Sequence, residues 1–294
     1  MAAYPQVPEG WSVVGRESTG PFTTKVTYER PDGRRVHWSS RSHRKHASRL
    51  SRVRAGHDGM LWAPHRASWW IAVLFSVGSV CFLAGPLPGF VELVGPRADG
   101  AVFFVGSVFF TSAAALQWLE TINADRAPAG ARHGSGRRRV RLFVSEPHRI
   151  DWWVTGVQLA GTLFFNVTTF RALSTATSDT HYNRLVWQPD ALGSVCFLVS
   201  GYLAYVEVTG GLLHKPPRGL EPAIVAMNFV GCVLFAVSAV CGFVLPATGV
   251  EVNVNVTNGA TSLGALCFLV GSLLLLPEGV RQPATEQDVS RSQP

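Results

Sequence analysis

Six apolar segments constrain this chain more than any other feature. They run approximately over residues 68–85, 100–119, 152–172, 190–208, 223–245 and 259–277. Each is close to the ~20 residues that a helix needs to cross a ~30 Å hydrocarbon layer. Composition points the same way. Apolar residues make up 47% of the 294 and charged residues only 15%, against roughly 25% charged in a soluble domain. A disordered chain, a disulfide-stapled secreted domain and an ordinary soluble enzyme are excluded. The pattern predicts an all-α membrane protein with six transmembrane helices. The first segment stops short at Pro86, which leaves room for a kinked continuation through Phe90 to Leu93. The first 60 residues are rich in charge and hold no apolar core of signal-peptide length, so the segment from Ser68 is expected to act as an uncleaved insertion signal.

The net charge of +7 would suggest an acidic partner or nucleic acid in a soluble protein. Here it is concentrated in the first 66 residues and in the 121–150 loop, which carries Arg126, Arg132, Arg137, Arg138, Arg139, Arg141 and Arg149. The 209–222 loop adds Lys215 and Arg218, and the C-terminal tail adds Arg281 and Arg291. The other three loops hold only Arg97 and Arg184, with Arg171 at a span end. Basic residues favour the cytosolic side. Both termini are therefore expected in the cytosol of a cell whose plasma membrane the chain crosses several times. The expected organisation is a cytosolic region over 1–66, a six-helix domain over 67–278 made of hairpins 68–119, 152–208 and 223–277, and a disordered cytosolic tail over 279–294.

Within the first region, Phe22 to Arg30 (FTTKVTYER) alternates as a strand does, Pro31-Asp32-Gly33 signals a turn, and Arg34 to Ser39 (RRVHWS) returns. This predicts a β-hairpin, with WSVVG around Trp11 available as a third strand. A lone hairpin is marginal in water, so it is expected to lean on the membrane domain or on a partner. A basic arm follows, with Arg41, Arg44, Lys45, Arg49, Arg52 and Arg54. Anionic headgroups attract such arms by roughly 1 kcal/mol per basic residue. Membrane lipid is the expected partner; nucleic acid is disfavoured because no recognition element is visible.

The spans repeat a pattern. All six carry G-x-x-x-F: Gly78/Phe82, Gly106/Phe110, Gly161/Phe165, Gly193/Phe197, Gly231/Phe235 and Gly264/Phe268. GSVCF occurs identically at 78–82 and 193–197. Trp pairs open the first helices of hairpins one and two, at Trp69-Trp70 and Trp152-Trp153. Gly106, Gly193 and Gly264 are each followed fourteen residues later by a glutamate: Glu120, Glu207 and Glu278. Positions i, i+4 and i+8 share one helical stripe. Small residues on such a stripe let backbones approach where lipid supplies no hydrophobic drive. Three pseudo-repeated helical hairpins, packed glycine against phenylalanine, are expected. The stripes can pack within or between chains, so a homo-oligomer stays open.

The GS-x-x-F spans, as in GSVFF at 106–110 and GSVCF at 193–197, together with LVGSLLLLPE at 269–278, resemble the YrhK-like family of small membrane hairpin domains. The resemblance covers residues 68–278 as tandem hairpins. It implies a bacterial plasma-membrane protein and carries no activity.

Candidate chemistry is sparse. Glu120, Glu207 and Glu278 recur at helix C-termini, where a carboxylate opposes the macrodipole. They are expected to form interfacial ion pairs with Arg66, His148-Arg149 and Lys215 or Arg218, or else an acidic ring at a cytosolic vestibule. Gln158 and Asn228 share one repeat position, three residues before the glycine, and either bond across helices or line a polar path. Catalytic signatures are missing. Neither the five cysteines nor His37, His43, His46, His57 and His65 show recognised metal spacing. No cofactor and no metal are expected. The expectation is a non-enzymatic structural or regulatory membrane protein, with a small-solute or ion permeation protein as the alternative.

Overall fold

A computed structural model describes residues 7–41, 61–124, 140–178, 180–211 and 214–280; the side chains of 278–280 lie outside that description. Three strands form near the N-terminus: β1 (Ser12–Thr19), β2 (Phe22–Glu29) and β3 (Arg35–Ser39), antiparallel in the order β1-β2-β3. Alternation puts every second side chain on one face. Val26 and Tyr28 of β2 and Val36 and Trp38 of β3 are buried together, with Trp11 over the edge. The Arg30 guanidinium lies 4.9 Å from the Trp11 ring centre. Burial pushes the Tyr28 phenol up to about 12, opposed by the positive charge of Arg16. Gly33, at φ 79°, permits the turn between β2 and β3, because residues with a Cβ rarely adopt that conformation. The predicted hairpin is present, and β1 extends it to three strands.

The rest of the chain is mostly helical. In chain order it gives α1 (Ala67–Ala84), the short α2 (Phe90–Val94), α3 (Pro96–Ile122), α4 (Ile150–Ala172), a π-turn (Asn183–Trp187), α5 (Gln188–Thr209), α6 (Leu220–Cys241) and α7 (Val254–Val280). Between α6 and α7 lies a minimal hairpin, β4 (Val244–Leu245) with β5 (Val250–Glu251). The kinked continuation after Pro86 is a separate helix, α2. The fifth segment leaves the helix at Cys241 and ends in β4. Among the described residues, five helices are long and apolar enough to cross a membrane, which makes the chain a multi-pass membrane protein by length and composition. The sixth long helix, α4, has 23 residues but carries Asp151, Gln158, Asn166 and several threonines.

The six long helices close into a ring: α1 packs on α3, α3 on α4, α4 on α5, α5 on α6, α6 on α7, and α7 back on α1. Large apolar side chains point outward, as at Val80, Val105, Leu163, Val195, Val233 and Leu263. Buried positions hold instead small and polar residues between the phenylalanines, among them Ser79, Ser107, Thr162 and Ser194. This inversion suits an apolar solvent, where interhelical contact comes from small residues and hydrogen bonds. Ser107 and Thr169 hydroxyls meet at 2.9 Å between α3 and α4, and Ser76 and Ser272 meet at 2.9 Å between α1 and α7. Exposed aromatic residues gather where α1 and α4 begin, at Trp62, Trp70, Phe143 and Trp153, as at a membrane–water boundary.

The two Trp pairs are tied identically. Trp69 and Trp152 donate to the carbonyls of Leu61 and Val144, and Trp70 and Trp153 donate to those of Pro64 and Pro147. Both pairs have ring centres 4.9 Å apart. The sheet leans on the same end of the bundle. Phe22 packs against Ile150, Val154 and Val206, and the Thr19 hydroxyl donates to the Val206 carbonyl at 3.4 Å. Arg41 reaches Glu221 of α6 at 3.0 Å. Arg44, Lys45, Arg49, Arg52 and Arg54 of the basic arm, and residues 281–294 of the expected tail, lie outside the described residues.

Candidate functional site: a phenylalanine plug between two cavities

The glycines of the G-x-x-x-F stripes meet in three helix pairs. A Cβ on Gly78 would lie 3.0 Å from the Gly106 carbonyl oxygen and from the Phe110 ring; one on Gly106 would lie 2.7 Å from the Cys81 Cβ and 3.1 Å from the Phe82 ring. The same reciprocal fit joins Gly161 with Phe197 and Gly193 with Phe165, and again Gly231 with Phe268 and Gly264 with Phe235. Each phenylalanine thus lies over the glycine of the facing helix.

The six rings are all buried. Within the pairs their centres stand 5.4 Å (Phe82–Phe110), 5.0 Å (Phe165–Phe197) and 5.3 Å (Phe235–Phe268) apart. They also touch between helices that are not ring neighbours: Phe82 with Phe235 at 6.0 Å, Phe165 with Phe235 at 5.9 Å, Phe110 with Phe268 at 6.1 Å and Phe197 with Phe268 at 5.8 Å. Side chains from non-adjacent helices of a closed ring can meet only at its centre. The rings therefore fill the axis, at separations favourable for edge-to-face contact.

Above and below the plug the bundle opens. On the side of the β-sheet, a cavity of about 100 Å³ is lined by Phe110, Phe197 and Phe268 of the plug and by Gln117, Glu120, Gln158, Asn228 and Arg41. Gln158 and Asn228 both line it, as does Phe75, which holds the same repeat position in the first hairpin. Gln117 Oε1 is buried without a hydrogen-bond partner among the described residues. Gly271 leaves space for the Asn228 amide, since a Cβ there would fall 2.5 Å from Asn228 Oδ1. Of the three glutamates, Glu120 lines this cavity, Glu207 is buried near the end of α5, and the Glu278 side chain lies outside the described residues.

Ion pairs at this end of the bundle include Asp151, Glu146 and Glu221. Arg149 grips Asp151 with two nitrogens, at 3.0 and 2.5 Å, and Glu146 with a third at 2.5 Å, all three side chains buried. Asp151 and Glu221, the partner of Arg41, both stand ten residues before a stripe glycine. Sequence reading picked out Arg66 and His148-Arg149 as interfacial cations but not the acids Glu146, Asp151 and Glu221, although Pro64-His65-Arg66 before Trp69 and Pro147-His148-Arg149 before Trp152 repeat legibly.

On the far side, a cavity of about 200 Å³ is lined by Phe82, Phe165 and Phe235 of the plug and by Asp190, Glu251, Tyr182, Trp187 and several hydroxyls. Asn183 positions its rim: the side-chain amide donates to the Val244 carbonyl at 2.6 Å and accepts from the Val244 N–H at 3.1 Å, which ties the β4-β5 hairpin to the π-turn. Burial raises the Glu251 carboxyl above its ordinary range, with a Thr257 hydrogen bond opposing. Burial also pushes the Tyr182 phenol up to about 12, and the charges on Glu251 and Asp190 add to it. Of these cavity residues only the three plug phenylalanines stood out in the sequence. Among the described residues no group of three or more His, Cys, Asp or Glu could hold a metal ion.

No protein-family model matches the chain, no curated protein is similar to it in sequence, and no solved structure resembles it. The resemblance to YrhK-like hairpin domains rests on its short motifs alone.

Proposed function

We propose that the chain is a six-span, non-enzymatic membrane protein of regulatory or structural type, whose bundle is shut at its centre and read out by the N-terminal sheet. The carrying observation is the six-ring phenylalanine plug, whose buried rings meet across the axis. The recurring glycine–phenylalanine fits and the identically tied Trp pairs support descent from one duplicated hairpin. α4 then counts as the sixth span: it sits in the ring between α3 and α5, and its polar groups face neighbours while Leu163, Val167 and Phe170 stay exposed. The arginine-rich 121–150 loop supports cytosolic termini and insertion in a plasma membrane. The sheet, docked through Phe22 and Arg41 against the amide-lined cavity, is placed to sense changes there, and the basic arm would hold it to anionic lipid.

The second reading is permeation. It is favoured by the two polar cavities that flank the plug, which would join if the rings moved aside. Reconstitution in liposomes separates the readings. The wild-type protein is expected to release trapped potassium at the rate of protein-free vesicles. Replacing Phe82, Phe165 and Phe235 together by Ala is expected to raise that rate. Wild-type flux clearly above the protein-free rate would replace the regulatory reading by the permeation one.

A further inference from the structure

The cavity on the side away from the sheet has an unusual chemical balance. Its described lining carries two carboxylates, Asp190 and Glu251, and no Lys, Arg or His. Asp190 lines this cavity and is half-buried. Asp190 makes no ion pair among the described residues. Glu251 Oε2 is buried with no hydrogen-bond partner among those residues. Two carboxylates facing one cavity must be offset by a proton or by a cation, so the cavity favours a positively charged guest. The third residue of α5 is a favourable place for an acid, because of the helix dipole. That accounts for Asp190 alone; among the described residues Glu251 has only the Thr257 hydrogen bond.

The walls decide which cation fits. Trp187 is fixed by a 2.7 Å hydrogen bond from its indole N–H to the Ala239 carbonyl and by edge contact with Phe243. Together with Tyr182, Phe103 and Phe82 it gives the cavity aromatic surfaces. Hard metal cations take six or more oxygen ligands in ordered geometry, whereas aromatic faces beside carboxylates suit ammonium groups. At about 200 Å³ the space is several times the ~30 Å³ share of one water molecule.

We infer that this cavity binds a small organic cation, a protonated or quaternary amine, with Asp190 and Glu251 supplying the counter-charge and the aromatic walls the contact surface. The site lies on the far side of the plug from the sheet and stands whether or not the plug ever opens.

Titration calorimetry on the full chain in detergent, with tetramethylammonium and n-butylammonium as probes and sodium and magnesium chlorides as comparison salts, tests this. At least one amine is expected to bind with saturation, and the inorganic cations are not expected to compete at equal ionic strength. Asp190→Asn is expected to weaken amine binding at least tenfold, Glu251→Gln severalfold, and Glu120→Gln, on the opposite side of the plug, not at all. Glu251 lies outside the long helices, so its variant keeps the test decisive if Asp190→Asn does not fold. No saturable amine binding, binding unchanged by Glu251→Gln, or displacement of the amine by magnesium alone would overturn the inference.

Discussion

The N-terminal sheet and the helical bundle solve the same packing problem for opposite solvents. In the sheet, Val26, Tyr28, Val36 and Trp38 are hidden, and Lys25 and Glu17 pair at 2.8 Å on the surface with more than half of each side chain exposed. In the bundle, Val195 and Val233 are outside while Ser194 and Thr162 are inside, and the main ion pair, Arg149 with Glu146 and Asp151, is almost fully enclosed. A surface organised by the hydrophobic effect shows charge and hides methyl groups. One organised in lipid shows methyl groups and closes its polar groups on one another. Both arrangements in one chain of 294 residues argue that the boundary between water and lipid runs just past the sheet, at the level of Trp62, Phe143 and Trp153.

The largest expected difference concerns those ion pairs. Removing one partner of a buried pair leaves an uncompensated charge and costs about 3–5 kcal/mol, so Arg149→Ala should strongly lower the melting temperature in detergent. Lys25→Ala breaks an exposed pair, worth at most ~1 kcal/mol and screened by salt, and should leave the melting temperature nearly unchanged. Equal effects of the two variants would mean that the Arg149 cluster is open to water and that the contrast between the regions is false.

The two regions were also unequally legible in the sequence. Alternation and the Pro31-Asp32-Gly33 turn marked β2 and β3, because a half-buried strand writes its burial directly as period two. Six apolar lengths marked the long helices to within a few residues at most ends. They did not mark which face turns inward, because in lipid both faces are apolar. The glycine–phenylalanine stripe carried that information, since close approach requires a residue without a side chain. The far cavity was illegible for a different reason. Asp190 opens α5, while Glu251 lies in β5 between α6 and α7, and only the closing of the ring brings them together. Asn183, which ties the hairpin down, has no local signature at all.

The next effect in size tests the stripe. Gly264→Ala would set a Cβ 2.6 Å from the Phe235 ring, a ring already packed against four others of the plug. Overpacking of that kind costs about 1–3 kcal/mol. Gly259, five residues earlier on the same helix, has open space around it, so Gly259→Ala should be neutral or gain up to ~1 kcal/mol from helix propensity. Thermal melts of the two variants side by side read the difference. A harmless Gly264→Ala would mean that the helices stand further apart than the stripe requires.

The smallest effect, that of Val195→Ala, belongs to the comparison that bears most directly on the solvent. Val36 of the sheet is 3% exposed and Val195 of α5 is 56% exposed. Trimming Val36 to Ala removes buried methyl groups at ~0.8 kcal/mol per carbon plus a cavity term, and the sheet should lose about 2 kcal/mol. Val195→Ala removes the same groups from a face in contact with lipid or detergent, and the bundle should change by less than ~0.5 kcal/mol. Val195→Asp then separates lipid from water at the same position. On a water-exposed helix an added carboxylate is tolerated, whereas within a hydrocarbon layer it costs roughly 2.5–3.5 kcal/mol and should reduce the inserted fraction in a membrane-integration assay. If Val195→Asp inserts as well as the parent chain, the outer face of α5 does not meet lipid, and the inversion between sheet and bundle needs another cause.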